Sequence, residues 1–234
     1  MQIDVFLYDS PAFKSFLQDN PHERGETEFL ESIVGEGMNA IDIGANIGIT
    51  SMALARKIGK AGKVYSFEPT PEYFNILRKN VRLNGLEDVV NVRELAVTDW
   101  VGRACFYQKG LSTGIVFAEG AERFEVRTVN VDRFLNEEKI ERIDLINMDC
   151  EGSELLALRG ARETLSRNRV MIFCEMHHDF LRQLGQSVED VVAYLQSLEF
   201  QVHGVSLDEL EVGSSLEDCD YVYANNLNER RGHG

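Results

Sequence analysis

Basic residues are the class this 234-residue chain is short of: 24 Lys and Arg stand against 39 Asp and Glu, a formal net charge of −15. Nucleic acids are held mainly by clustered Lys and Arg on their phosphates, so DNA and RNA are not expected as partners. The acidity by itself reads as a solubility feature. Cysteine is also sparse. Cys105, Cys150, Cys174 and Cys219 form no C-x-x-C pair and have no histidine at zinc-finger spacing. That pattern excludes a disulfide framework and a structural metal, and fits reduced, buried thiols. No apolar run approaches the ~18–20 residues of a membrane span. The opening Met1-Gln2-Ile3-Asp4-Val5 lacks the basic and apolar regions of a secretory signal, so a cytoplasmic location is expected. No internal repeat or low-complexity stretch occurs.

What is present is an alternation of short apolar runs and amphipathic stretches. The expected strands of the first half are Asn39–Ile43, Lys63–Phe67 and Val89–Leu95, with helices over Ile47–Ile58 and from Pro71 to about Asn84-Gly85. Arg103–Gln108 and Phe124–Val131 alternate in the strand manner around a Gly-rich loop near Gly110–Gly120, which predicts an antiparallel β-hairpin insertion. Strands then follow at Ile143–Met148, Val170–Glu175, Phe200–Val205 and Asp220–Ala224, with helices over Ser153–Leu165 and Val188–Leu198. This rhythm predicts a single α/β domain, a Rossmann-like, doubly wound and mostly parallel sheet. Its core spans about residues 26–225, after an N-terminal extension (1–25) and before a frayed tail (226–234). Ligands of such sheets bind beyond the carboxyl ends of the strands, where the strand order reverses. Gly44, Glu68, Leu95, Asp149 and Glu175 each close an expected strand.

Asp42-Ile43-Gly44-Ala45-Asn46-Ile47-Gly48 follows the first strand and opens the first helix. Glycines there let the backbone turn and approach a ligand, although a βα turn with glycines for packing has the same local pattern. The second strand separates the two readings. Glu68 follows Gly44 by 24 positions, the place of an acidic residue that accepts hydrogen bonds from the ribose of an adenosine cofactor. A nicotinamide site favours G-x-G-x-x-G, whose glycines admit a pyrophosphate. Here Asn46 and Ile49 replace the second and third glycines. S-adenosylmethionine has no phosphate and needs partners for its ammonium and carboxylate, which Asp42, Asn46 and nearby backbone groups supply. A G-x-x-x-x-G-K-[ST] loop is absent, since Gly62-Lys63 is followed by Val64.

The stretches NAIDIGANIGITSMALARKIGKAGKVYSFEPTPEYFNILRKNVRLNGL, LAVTD, IDLINMDCEGSELLALRGA and FCEMH, in this order over about Glu26–His177, resemble the FkbM family of S-adenosylmethionine-dependent methyltransferases. The resemblance implies a class I methyltransferase fold and O-methylation of small natural products, sugars or glycans. Carried over by position, it implies Asp42, Gly44, Asn46 and Gly48 along the methionine and ribose, and Glu68 with Pro69 at the ribose. Leu95–Val97, centred on Ala96, would flank the adenine. Two departures concern the acceptor side: Asn147 stands where a lysine is common, and Cys150 follows Asp149 where valine is common.

A hydroxyl acceptor benefits from a base that takes its proton as the new bond forms. Asp149, Glu175 and His177 are the candidate catalytic residues at two neighbouring strand ends. Glu151 is also acidic, and a first-turn carboxylate of the next helix is its plain alternative. His178 reads as a surface loop residue, and His22, His203 and His233 have no company. Asp149 and Glu175 have the oxygen chemistry of a divalent-ion site, but nothing in the spacing requires a metal and none is predicted. The segment Phe106–Phe124 is a lid or acceptor wall, or else a loosely ordered insertion. A small-molecule or sugar acceptor is expected, with no membrane partner, while oxygen against nitrogen methylation and homo-oligomer formation stay open. The competing readings are a nicotinamide oxidoreductase, opposed by the missing glycine and the lack of a Tyr-x-x-x-Lys pair, and a non-catalytic adenosine-cofactor binder, opposed by the cost of sterile buried carboxylates.

Overall fold

A computed structural model describes residues 21–216 and 219–227. The expectations for residues 1–20 of the extension and 228–234 of the tail lie outside the described residues. Five strands, β1 (Asn39–Ile43), β2 (Lys63–Phe67), β3 (Val90–Arg93), β8 (Leu145–Met148) and β9 (Met171–Glu175), run parallel in the order β3-β2-β1-β8-β9. The sheet continues through β12 (Tyr221–Asn225), antiparallel to β9, then β10 (Gln201–Ser206) and β11 (Glu211–Ser214), for eight strands in all. The chain runs outward from β1 to β3 and returns on the other side of β1 to lay down β8. The order therefore reverses between β1 and β8, where a parallel sheet opens its ligand crevice.

Apolar residues alternate along the central strands and feed two cores, one on each face. Helices α1 (Pro21–Ile33), α2 (Ile49–Ile58) and α3 (Pro71–Leu83) bring Phe29, Leu54 and Leu77 against Ala40, Leu145 and Phe173. On the opposite face, α4 (Val131–Glu138), α5 (Glu154–Arg159), α6 (Arg162–Arg167) and α8 (Val188–Ser197) bring Phe134, Leu158, Leu165 and Leu195 against Ile41, Ile146 and Ile172. Burial of both sheet faces is what the near-continuous apolar composition of these strands requires.

The expected hairpin is part of a larger feature. β5 (Gly102–Lys109) and β7 (Glu122–Val129) pair antiparallel, β6 (Ser112–Gly114) adds to β5, and β4 (Ala96–Val97) pairs parallel to β7. This four-stranded second sheet overturns two boundaries. The expected strand Val89–Leu95 stops at Arg93, and the chain re-forms strand at Ala96 on the other sheet. The expected strand end at Val131 is instead a helix start, with the Asn130 side chain accepting from Arg133 N at 2.8 Å. The expected helix Ser153–Leu165 is broken in two at Gly160, where a side chain would meet the Thr98 carbonyl oxygen at 2.2 Å. Helix α7 (His178–Gln183) was not apparent in the sequence pattern.

At the reversal point, Gly44 has φ +84°, and a Cβ there would lie 1.7 Å from the Asp149 carbonyl oxygen. Gly44→Ala is therefore expected to lower stability by at least about 3 kcal/mol, from a backbone clash added to left-handed strain. Gly85 has a similar φ of +64° with nothing near its missing side chain, so Gly85→Ala should cost only about 1–2 kcal/mol. Denaturant unfolding of both variants checks the difference.

Candidate active site

The loops at the carboxyl ends of β1, β2 and β8 are tied by backbone bonds. Gly44 N and Ala45 N both donate to Phe67 O at 3.0 Å, and Asp149 N donates to Ile43 O at 2.9 Å. Two adjoining cavities open above them and share Gly44, Asn46, Leu111, Asp149 and Glu151. The first spans about 520 Å³, part of it open to solvent, between the main sheet and the insertion. Its apolar walls are Ile43, Phe67, Leu95, Ala96, Val97 and Phe106, with Pro69 and Tyr73 beside Glu68. The insertion thus supplies a wall of this cavity through Phe106, Leu111 and Thr113. Its β6 is fastened to the β8 loop, because the Ser112 hydroxyl donates to the Glu151 carboxylate.

Glu68 sits at the polar end of this cavity, 4% exposed, accepting from Asn46 N at 2.9 Å and Thr70 N at 2.7 Å. Burial pushes its carboxyl up to about 7, against the pull of those backbone donors. Asp42, expected at the ligand's methionine end, lies on the floor of the second cavity with both oxygens already engaged. Oδ1 accepts from Asn147 Nδ2 at 2.8 Å and Oδ2 from Ser51 Oγ at 2.5 Å, and burial raises its pKa despite these bonds. Asn46 carries φ +48° and its buried Oδ1 has no partner among the described residues. Ser153, 2% exposed on the wall of the first cavity, likewise leaves its Oγ unpartnered. Unsatisfied buried polar atoms facing a cavity call for a polar ligand. Gly48 opens α2 at the edge of the second cavity.

The second cavity, about 1090 Å³ with part of it open to solvent, is acidic: Glu26, Asp42, Asp149, Glu151 and Glu175 line it, without Lys or Arg among the described residues. The three expected catalytic residues come together there. His177 Nε2 lies 3.4 Å from Asp149 Oδ1 and 3.9 Å from Glu175 Oε1. Its Nδ1 contacts Glu154 Oε1 at 2.8 Å, and Phe180 of α7 stacks on the ring at 6.0 Å between centroids. Burial alone would lower the His177 pKa. The bond to Glu154 and the charges of Asp149, Glu154 and Glu175 outweigh it and hold the imidazole at about 10. Burial and the Glu175 charge push Asp149 well above the usual carboxylate range, and burial raises Glu175 with His177 opposing. Asp149 nonetheless keeps 42% of its side chain open to the cavity.

Glu154, Glu26 and Tyr221 were not singled out in the sequence. Glu154 is fully buried, takes Gly152 N at 2.9 Å on the oxygen that holds His177, and leaves its other oxygen without a partner among the described residues. Glu26 arrives on α1 and Tyr221 on β12. No local pattern marks either, because each reaches the site from a distant part of the chain. His178, expected on the surface, contacts the Cys219 carbonyl at 3.0 Å, and His203 lies within β10.

Residues 42–202 match the family description "Methyltransferase FkbM domain". The chain belongs to the FkbM methyltransferases. It is 30% identical over 178 residues to the 2-O-methyltransferase NoeI of Sinorhizobium fredii, covering 68% of this chain and 71% of that protein. It is 26% identical over 156 residues to the methyltransferase sdnD of Sordaria araneosa, covering 53% of this chain. That match spans 60% of the length of sdnD. The crystal structure of the FkbM methyltransferase from Methylobacillus flagellatus superposes with a TM-score of 0.55 at 17% identity, over 92% of this chain and 58% of that one. The fold is that of class I S-adenosylmethionine-dependent methyltransferases, an α/β architecture with a mixed sheet. Among the described residues, no helix is long and apolar enough to cross a membrane.

Glu154 holds His177 from inside the core. Glu154→Ala is expected to destabilise the protein by about 3–5 kcal/mol, as when one partner of a buried charged pair is removed. Glu154→Gln, which keeps the shape and one acceptor, should cost clearly less. Thermal and denaturant unfolding of the two variants measure it.

Proposed function

We propose that this chain works as a single-domain S-adenosylmethionine-dependent O-methyltransferase acting on a hydroxyl of a small molecule, sugar or glycan. The observation that carries the reading is the junction of the two cavities at Gly44, Asn46, Asp149 and Glu151. The apolar cavity suits an adenine and ends on Glu68, whose carboxylate suits ribose hydroxyls. Asn46 Oδ1, buried and unpartnered, suits a donor group at the same junction. When bound, S-adenosylmethionine supplies an electrophilic methyl group on a sulfonium.

The residues of the second cavity then have defined tasks. Methyl transfer needs the acceptor oxygen about 3–3.5 Å from the methyl carbon, and orienting it supplies much of the rate. Asp149 and Glu175 line the cavity where that oxygen would sit and orient it, and the carboxylates of the acidic wall accept its proton. His177, held by Glu154 on one nitrogen and facing both carboxylates with the other, positions them. An acidic wall without Lys or Arg favours a neutral or cationic acceptor over a phosphate polymer. The relative NoeI, a 2-O-methyltransferase, supports a hydroxyl acceptor.

Calorimetry with S-adenosylmethionine, S-adenosylhomocysteine and NAD tests the cofactor. The two sulfur compounds should bind at micromolar levels and NAD should not. Glu68→Ala should weaken binding by about 1–3 kcal/mol, the loss of a charged hydrogen bond. No binding of either sulfur compound at millimolar concentration would sink the reading.

Glu68 also predicts a pH dependence. Its carboxyl is raised from 4.5 to about 7 in the folded chain. As pH climbs from 4.5 to 7 the unfolded chain loses this proton first, so the free protein loses stability, by about 3 kcal/mol in full above pH 7. Ribose hydroxyls donate to the ionised form and lower its pKa. S-adenosylhomocysteine affinity should therefore rise as pH goes from 6 to 8. Glu68→Gln should flatten that rise, bind more weakly, and unfold at a higher temperature than wild type at pH 8 without ligand.

A further inference from the structure

The acidic cavity also brings one imidazole nitrogen and two carboxylates to a common point. Donor atoms of Asp149, Glu175 and His177 all lie within 4.8 Å of one another, with His177 Nε2 at 3.4 Å and 3.9 Å from the two oxygens. An ion with bonds of about 2.0–2.2 Å keeps its ligand atoms no more than about 4.4 Å apart. The three side chains therefore need only a sub-ångström adjustment to enclose one.

The far side of the imidazole makes this more than a cluster of acids. His177 Nδ1 is engaged at 2.8 Å by Glu154, which is fully buried. A carboxylate on the outer ring nitrogen is how histidine ligands in metal centres are oriented. It aims Nε2 at Asp149 and Glu175. The buried second oxygen of Glu154 has no hydrogen bond, a cost that a surface ion pair would not incur. The side of the triad away from Glu154 opens on the cavity, leaving room for an oxygen ligand from solvent or substrate.

We propose that Asp149, Glu175 and His177 bind one divalent transition-metal ion of the Mn²⁺ type, with Glu154 as the positioning residue for His177. Two carboxylates with an imidazole suit Mn²⁺ and its neighbours better than Mg²⁺, which prefers oxygen alone; the imidazole ligates in its neutral form, so the ion displaces the Nε2 proton of His177 to solvent. The open positions of the ion take the acceptor's hydroxyl oxygen; this second half rests on the methyl-transfer reading above. A hydroxyl on a divalent ion is a stronger acid. Its O–H bond breaks, the electron pair stays on the oxygen held by the ion, and the proton passes to a wall carboxylate outside the ligand set, Glu151 or Glu26, and then to water.

The test is a Mn²⁺ titration of the full chain, stripped with chelator, followed by the electron paramagnetic resonance signal of the free ion with no acceptor present. One ion per chain is expected at micromolar concentration. His177→Gln and Glu154→Gln should each weaken it by about tenfold or more, and Glu26→Gln by far less. The Glu154 variant keeps all three ligands, so its effect reports orientation. S-adenosylhomocysteine binding by each variant reports an intact fold, and Glu175→Gln replaces any variant that loses it. No binding at millimolar Mn²⁺, or equal weakening by Glu26→Gln and His177→Gln, overturns the proposal. Mn²⁺ binding without S-adenosylhomocysteine binding keeps the ion site and removes the methyl-transfer reading; the opposite result does the reverse.

Discussion

The backbone of Gly44 lies so close to the Asp149 carbonyl that a methyl group there would sit 1.7 Å from its oxygen. That contact joins the turn after β1 to the turn after β8 across the reversal of strand order, and the rest of the site depends on it. It places the polar end of the apolar cavity beside the acidic one, so Glu68 and Asp149 face neighbouring spaces. The same loop carries Glu151 in the left-handed region at φ +50° and is fastened to the insertion through Ser112. Strain of this kind persists only where surrounding contacts over-determine it.

Charge is the second organising constraint. Carboxylates placed near one another in a partly dry space each raise the cost of ionising the next. Here Asp149, Glu175 and Glu154 converge on a single imidazole, which their combined charge keeps protonated. Glu68, by contrast, has no ion-pair partner among the described residues and accepts from two backbone N–H groups. The two cavities thus differ in kind: one sets Glu68 at the end of apolar walls, and the other gathers five carboxylates into a concentrated negative field.

Much of this was readable in the order of residues. The glycine-bearing loop after β1 and Glu68 after β2 carry their own spacing, because a βα unit forces its turn residues into sequence proximity. Asp149, Glu175 and His177 were legible as strand ends, since a parallel sheet gathers its carboxyl termini on one side. Glu154 was not: a glutamate in the first turn of a helix reads as a dipole-compensating surface residue, and only packing reveals that it is buried. Glu26 and Tyr221 were hidden for a different reason, their distance along the chain from every motif. The insertion was seen as strands, but its tie to β4 was not, because two residues of strand leave no period to detect.

The sequence by itself determined the alternation, the position of the crevice, the acidic residue that closes β2 and the family. These depend on local periodicity and on spacings within single βα units, which propensity and turn chemistry encode directly. The tertiary structure alone decided which carboxylates share a cavity, which nitrogen of His177 faces them, and that the insertion forms a wall of the first cavity. Those are distances between residues far apart in the chain. They are set by how two layers of helices and a second sheet pack around the first, and no stretch of sequence contains them.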